Sequence, residues 1–500
     1  MILSDYSPDS RPATTSPLGT LDGLFRRAGV RHADVIALAD PPNRETIDGV
    51  AARWFTYSEA DRAISAIAAT LRELDLPADT IVAYQLPNTV ENVLTFLGIL
   101  RAGMIAAPLP LLWRKADIVG ALTLVGAKVF VTSSRVDGYA AADTAMQAAA
   151  DLFQIRFVCG FGDKLSDGIV PLDPLLSAVK TATVPALQRA GDPSAHIAVI
   201  TWETTERGPV PVARSHAELL AAAPPLAETG NLFSLLSATP PTSFAGIALT
   251  LVPWLIRGGT LHLHHGFTPE AFAAQASDLH CETVIVPGPL VGPLLETDLF
   301  GLPDLRQIVA LWRAPETLAS ATPWTGTPRL IDATAFGELG LAYAARSRGA
   351  RPAGLASTSA LEVSRAEDGT LILRGTMTPA HDFPPGPPQE GVPHLARRPG
   401  GILDTGYRCR SEPQGGLVVT APPPGIVGIG GYRLARNEID TTASLFGSDT
   451  AIAVLPSPLT GQRLAGASDD RETVHALLTE QGSNALLAGA FAPLPDARAA

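Results

Sequence analysis

Apolar residues recur at helical spacing at Ile64, Ile67, Ala68, Leu71 and Leu74, which predicts an amphipathic helix. Ser58 and Asp61, just upstream, have the spacing of a capping box that would open it. A β-type run follows over 80–86, then a helix over 90–101, a strand over 104–108, a helix near 115–125 and a strand over 128–132. Helix and strand keep alternating through Phe157 and again over 249–331. That rhythm predicts an α/β fold, a large domain of mostly parallel sheets flanked by helices. From about Arg351 the texture changes: turn residues crowd into HDFPPGPPQEG, and short β-rich runs at 370–374 and 416–420 predict a small β-rich subdomain. The Pro-Pro-Pro-Gly stretch at 422–425 reads as a linker that its prolines stiffen, and a helix is expected over 470–481. The predicted organisation is a loose tail over 1–20, a large domain over 21–421, a hinge over 422–428 and a small, shortened α+β domain over 429–500.

Size and composition narrow this picture. Five hundred residues exceed what one hydrophobic core organises, and 46% hydrophobic with 17% charged residues describes an ordinary globular chain. A net charge of −12 and a pI near 5.3 disfavour nucleic acid and anionic membranes as partners. The most apolar stretch, 93–113, is broken by Arg101, Gly103, Pro108 and Pro110, whereas a membrane span needs about 20 unbroken apolar residues. The amino terminus has neither a basic start nor an apolar run, so no secretion signal is expected. Cys159, Cys281 and Cys409 form no CxxC pair, so a reducing cytoplasm is the expected compartment, and Cys281 is expected to be a buried small residue. His262 and His264 share one face of a strand but make only half a zinc site, so no metal centre is predicted. No GxSxG, HExxH or GxGxxG occurs.

The segment IAVITWETTERGPVPVARSHAEL, 197–219, runs an apolar strand into a Thr-rich loop and then a Ser-His pair that opens a helix. It resembles the phosphate-binding loop, T-S-G-T-T-G-x-P-K-G, of the adenylate-forming superfamily of acyl-CoA and aryl-CoA synthetases, luciferases and peptide-synthetase adenylation domains. Further segments resemble that family in its own order: FTYSEADRAISAIAATLREL, LGILRAGMIAAPLPLL, LVPWLIRGGTLHLH, FGELG for its Y-G-x-T-E, LDTGY for its T-G-D, and GIVGIGGYRLARNEID for the opening of its mobile small domain. The resemblance runs over roughly 20–490. It implies adenylation of a carboxylate by ATP followed by thiol displacement of AMP, with ATP or AMP, magnesium and CoA as cofactors only if the activity is retained. It implies an acyl or aryl carboxylate, or a carrier protein, as partner.

Both half-reactions gather anionic charge, so they depend on cations and backbone donors aimed at phosphate. On the resemblance, Thr201, Thr204, Thr205 and Arg207 belong to the nucleotide loop, with Phe336, Gly337 and Thr405 from the later motifs. Two loop glycines of the pattern are Glu203 and Glu206 here, its serine is Trp202, and its lysine falls near Pro209. Glycine lets backbone N–H groups approach phosphate, and carboxylates there repel it. The plainer reading of Glu203 and Glu206 is a solvated loop face. The magnesium-holding Thr-Glu pair becomes Leu339-Gly340 and the ribose-gripping aspartate becomes Tyr407, leaving Glu338 and Asp404 as weak catalytic substitutes. The adenine-bordering Gly-Gly-Ala-Pro becomes Trp312-Arg313-Ala314-Pro315, which sets two bulky side chains in the nucleotide slot. An acyl pocket is expected around Ser243, Gly246 and Trp312. The lysines are Lys115, Lys128, Lys164 and Lys180, so none falls where the resemblance expects a late catalytic one. Three readings stay open: a homologue defective in adenylation that keeps an acyl or aryl pocket or a partner role; an active, divergent AMP-forming acid–CoA ligase using Arg207, Arg214, Glu338 and Asp404; and an enzyme using the old cleft for other chemistry.

Overall fold

The computed structural model describes residues 1, 14–185, 187, 189–226, 233–385, 392–413, 415–457 and 460–493. Most of the tail expected over 1–20 and the last seven residues lie outside these, as does part of HDFPPGPPQEG.

The α/β expectation holds. A seven-stranded sheet orders Val170–Pro171, Phe157–Phe161, Val129–Ser133, Ile81–Tyr84, Ile105–Pro108, Ile197–Thr205 and Gly208–Ser215. It is parallel except for the closing hairpin. An eight-stranded sheet runs from Leu341–Arg346 through Arg329–Ala335, Gln307–Trp312, Thr283–Pro287, Ser234–Ser237, Thr260–Leu263 and Ile36–Ala39 to Trp54–Thr56, antiparallel only at its two edges. A five-stranded antiparallel sheet built on Ile402–Ser411 forms the β-rich region.

Helices Tyr57–Glu73 and Val90–Ala102 pack against each other in the main core, with Ile64, Ile67, Val93, Phe96 and Leu97 all buried. The first of them is capped by Thr56 and Glu59, not by Ser58 and Asp61. Thr56 ends a strand in extended geometry, φ −65° and ψ 164°, so its hydroxyl faces the next turn's N–H groups as an N-cap must. Helix Lys115–Val125 ends on Gly126 at φ 65°, and Arg471–Glu480 begins on an Asp470 cap.

Beyond the turn at 422–425, hairpins Ile426–Ile429/Tyr432–Ala435 and Ala451–Ser457/Gly461–Ala467 pack with helices Arg436–Ser444, Arg471–Glu480 and Ala485–Gly489. This region has its own core of Val427, Leu434, Ile439, Leu478 and Phe491. It docks on the larger body through Ala485 N–H to Leu112 O at 3.0 Å and Ala116 N–H to Gly482 O at 3.1 Å. The Asn437 amide also donates to Glu206 O at 2.6 Å. Among the described residues, no helix is long and apolar enough to cross a membrane.

Candidate functional site

Strands Ile197–Thr205 and Gly208–Ser215 pair without a gap from Thr205↔Gly208 to Val199↔Arg214, so the Thr-rich segment is a tight hairpin turning on Glu206 and Arg207. Alternation along the first strand turns Glu203 inward, where it is 5% exposed. Its carboxylate forms an ion pair with Arg433 of the carboxy-terminal hairpin and accepts the backbone N–H groups of Glu338 at 2.5 Å and Thr204 at 3.1 Å. The Thr204 hydroxyl donates to Arg433 O at 3.3 Å. Burial pushes the Glu203 carboxyl up, opposed by the Arg433 charge and the Glu338 N–H. Gly337, at φ +57°, has room for no Cβ because the Glu203 carboxylate and the Arg433 guanidinium occupy that space. Glu203 is therefore not on a solvated loop face; its charge is neutralised across the two regions. Glu206 is exposed.

Around this ion pair lies a cavity of about 510 Å³ between the large body and the carboxy-terminal region. Of the predicted residues, Thr204, Ser243, Trp312, Gly337 and Glu338 line it, joined by Glu203, Arg313, Tyr432 and Arg433. Its walls are mainly apolar and aromatic, with Trp113 and Trp202 set edge to face at 5.3 Å. Trp113 donates to the Tyr432 hydroxyl at 2.5 Å, and Asn484 donates to the same oxygen at 2.9 Å. Trp312 is held by its indole N–H on Asp332 at 2.8 Å. Arg313 donates to Ser243 Oγ at 2.6 Å, the oxygen that also caps Gly246 N–H at 3.1 Å.

The other predicted residues do not line the cavity. Thr201 is buried in the strand, the Thr205 hydroxyl donates to Gly208 O at 2.8 Å, and Arg207 is exposed at the turn. Phe336 is buried edge to face against Tyr407 at 6.0 Å. Gly246 is packed so tightly that a Cβ would collide with Pro240 O. The Thr405 hydroxyl donates to Leu371 O at 2.7 Å. Asp404 is engaged by Arg398 at 2.6 Å and by the Gly406 N–H at 2.9 Å. The Glu338 carboxylate accepts Phe244 N–H at 2.7 Å, so it serves the start of a helix. Arg214 is fully buried, stacks 3.5 Å over Phe244 and donates to the Met377 and Glu338 carbonyls; burial lowers its pKa to about 10. Sequence reasoning missed Arg433, Arg313 as a Ser243 partner, and Tyr432. Nothing near Glu203 in sequence signals Arg433, which lies 230 positions away. No cluster of three or more metal-ligating side chains occurs among the described residues.

A family model described as AMP-binding enzyme matches residues 25–321, more than half of the chain. The chain belongs to the AMP-binding enzyme family. The matched span holds the hairpin of Glu203 together with Ser243 and Arg313, and ends before Glu338 and Arg433. Among curated relatives, a medium-chain fatty-acid–CoA ligase of Escherichia coli (strain K12) is 28% identical over 264 residues, 52% of this chain and 46% of that protein. A cyclosporin synthetase of Tolypocladium inflatum is 28% identical over 211 residues, 36% of this chain and 1% of that protein. The match thus spans about half of the ligase and a small part of the peptide synthetase. Among solved structures, an amide bond synthetase from Marinactinospora thermotolerans superposes at TM-score 0.71 with 19% identity, covering 93% of this chain and 94% of that one. An o-succinylbenzoate CoA synthetase from Bacillus subtilis superposes at 0.66 with 15% identity, covering 89% and 87%. These likenesses confirm the adenylate-forming fold.

Proposed function

We propose that this AMP-binding family member no longer adenylates, and that it keeps the interdomain cavity for an apolar acyl or aryl ligand. One observation carries this reading. The donors that converge beside the hairpin, two backbone N–H groups and a guanidinium, are already satisfied by the Glu203 carboxylate. An incoming triphosphate would have to displace an internal anion that is covalently attached and at high effective concentration, and would meet its charge if it stayed. Glu338 and Asp404 bind a helix N–H and Arg398 respectively, which argues against magnesium and ribose roles for them. The tight turn and the docked carboxy-terminal hairpin support a hinge at 422–428 that is held in one position. A carrier protein is the partner class this reading allows, since one solved neighbour is an artificially fused adenylation–PCP di-domain. Three buried free cysteines suit a reducing cytoplasm.

The test is a thermal-shift titration with ATP and magnesium, followed by ATP–pyrophosphate exchange over a panel of carboxylic acids. A ligand at 100 times its Kd adds about 2.7 kcal/mol of stability, easily visible as a shift. The expected result is no shift at millimolar nucleotide and no exchange. Exchange with any acid would establish an active, divergent ligase instead.

A further inference from the structure

Three arginines in or beside the cavity have different standings. Arg433 is matched by Glu203. Arg214 is sealed from solvent against a ring and two carbonyls. Arg313 differs from both. It lines the cavity and is only half-buried, and its one hydrogen bond among the described residues goes to a neutral hydroxyl, Ser243 Oγ. No carboxylate forms an ion pair with it among the described residues, and none of its nitrogens is among the sealed atoms without a partner. A guanidinium carries five N–H donors in a planar fork, so most of the Arg313 fork opens on the cavity. Its stem is fixed from the other side: Gly431, at φ +87°, would place a Cβ 2.6 Å from Arg313 Cδ. The side chain is thus clamped between Ser243 and the carboxy-terminal hairpin, with its head presented to an apolar space.

A guanidinium away from bulk water is costly to desolvate until an oxyanion meets it. Burial indeed draws its pKa down, with Glu338 acting against this. The surrounding walls decide what kind of anion fits. Trp113, Trp202, Phe267, Leu290, Trp312 and Tyr432 offer aromatic and aliphatic surface to a hydrophobic body. The Glu338 carboxylate, which forms no ion pair among the described residues, also lines the cavity, so a second negative charge on the ligand would be repelled. We propose that Arg313 anchors the acidic head of a singly charged ligand whose apolar body lies on these aromatic walls, in the space a nucleotide would otherwise use. The inference rests on the non-adenylating reading above and adds the residue that holds the ligand and the charge it selects.

Isothermal titration of the full chain, without nucleotide, with octanoate, octanamide, cinnamate and cinnamamide tests it. Each pair shares a body and differs in the charge of the head. The acids should bind at least about tenfold more tightly than their amides, the span of a charge-assisted hydrogen bond. Arg313→Gln should erase that preference while weak amide binding persists, which also shows that the variant is folded. Arg313→Lys should restore part of the preference. Equal binding of acid and amide by the parent, an undiminished preference in Arg313→Gln, or no binding of any of the four probes would each overturn the proposal. The non-adenylating reading fails separately, through stabilisation by ATP with magnesium or through pyrophosphate exchange. Neither readout depends on the acid-to-amide ratio.

Discussion

Two buried charge networks in this molecule are built from the same residue types and differ in what they join. Inside the large body, Arg44 pairs with Asp40 at 2.5 Å, Asp48 at 2.7 Å and Glu91 at 2.8 Å, and Arg53 links Glu91 at 2.7 Å to Asp173 at 3.0 Å. All these groups belong to one packed unit, and Asp40 also accepts Val90 N–H at 2.9 Å. Carboxylates outnumber guanidinium groups there. Burial and the neighbouring Glu91 therefore push the Asp40 carboxyl up to about 7, against the pull of Arg44. The second network, Glu203 with Arg433 and the Glu338 N–H, spans two regions that each have a hydrophobic core. Breaking the first at Arg44 leaves Asp40, Asp48 and Glu91 buried away from water. On the proposed hinge at 422–428, breaking the second would let the two regions part and water reach the charges. On that reading the same chemistry is structure in one place and a latch in the other.

The largest effect is expected from Arg44→Met. Removing the shared partner of three buried carboxylates should cost about 3–5 kcal/mol, read as a lowered midpoint of chemical unfolding for the large body. A loss under about 1 kcal/mol would mean that these carboxylates are protonated or hydrated in the parent. Arg433→Met should cost less, about 1–3 kcal/mol, because separation of the two regions rehydrates Glu203. Its more telling signature is limited proteolysis: cleavage near 422–425 should quicken while the large body stays resistant. Unchanged cleavage would show that Tyr432, Asn484 and Ala485 hold the dock without the ion pair.

The legible part of this chain was whatever depends on local pattern. Lys115–Val125 matched at both ends, since apolar spacing and a left-handed glycine mark its limits. The β-rich texture after Arg351 became the antiparallel sheet, because turn residues punctuate short strands. The cap at Ser58 and Asp61 was misplaced by two residues: Thr56 serves as strand end and N-cap together, and two overlapping patterns of the same spacing compete. The motif substitutions drew attention to the Glu203 segment, where a carboxylate stands at a glycine of the resembling pattern. Its partner was not visible. Burial of Glu203 depends on Arg433 arriving from another folding unit, and such a contact leaves no periodicity in either segment. Arg313 stood out as bulk in the slot, whereas its open fork emerges only once Ser243 and Gly431 are seen to clamp it.

The smallest expected effect tests whether the latch has a second, titratable component. Glu438 and Asp117 meet at the same dock, near the bonds of Asn484 to Asp117 at 3.4 Å and to Tyr432 at 2.9 Å. Burial first, then the facing Asp117, raise the Glu438 carboxyl from 4.5 to about 7, against the Ala435 N–H. Burial raises Asp117 from 3.8 to about 6, against the Arg114 N–H, Asn484 and the Arg114 charge. A carboxyl whose pKa is raised in the folded state favours folding below its unfolded pKa and loses that contribution as pH rises through the folded value. The docked form should therefore weaken from about pH 4.5 to about pH 7, opposite to the usual paired carboxylate. Glu438→Gln should reduce that slope to the share of Asp117, making the variant more stable than the parent near pH 8 by on the order of 1 kcal/mol after solvent screening, with little difference near pH 4. Paired scanning calorimetry at the two pH values checks it. A variant less stable than the parent at both would show that Glu438 is held ionised by a partner and does not weaken the dock as pH rises.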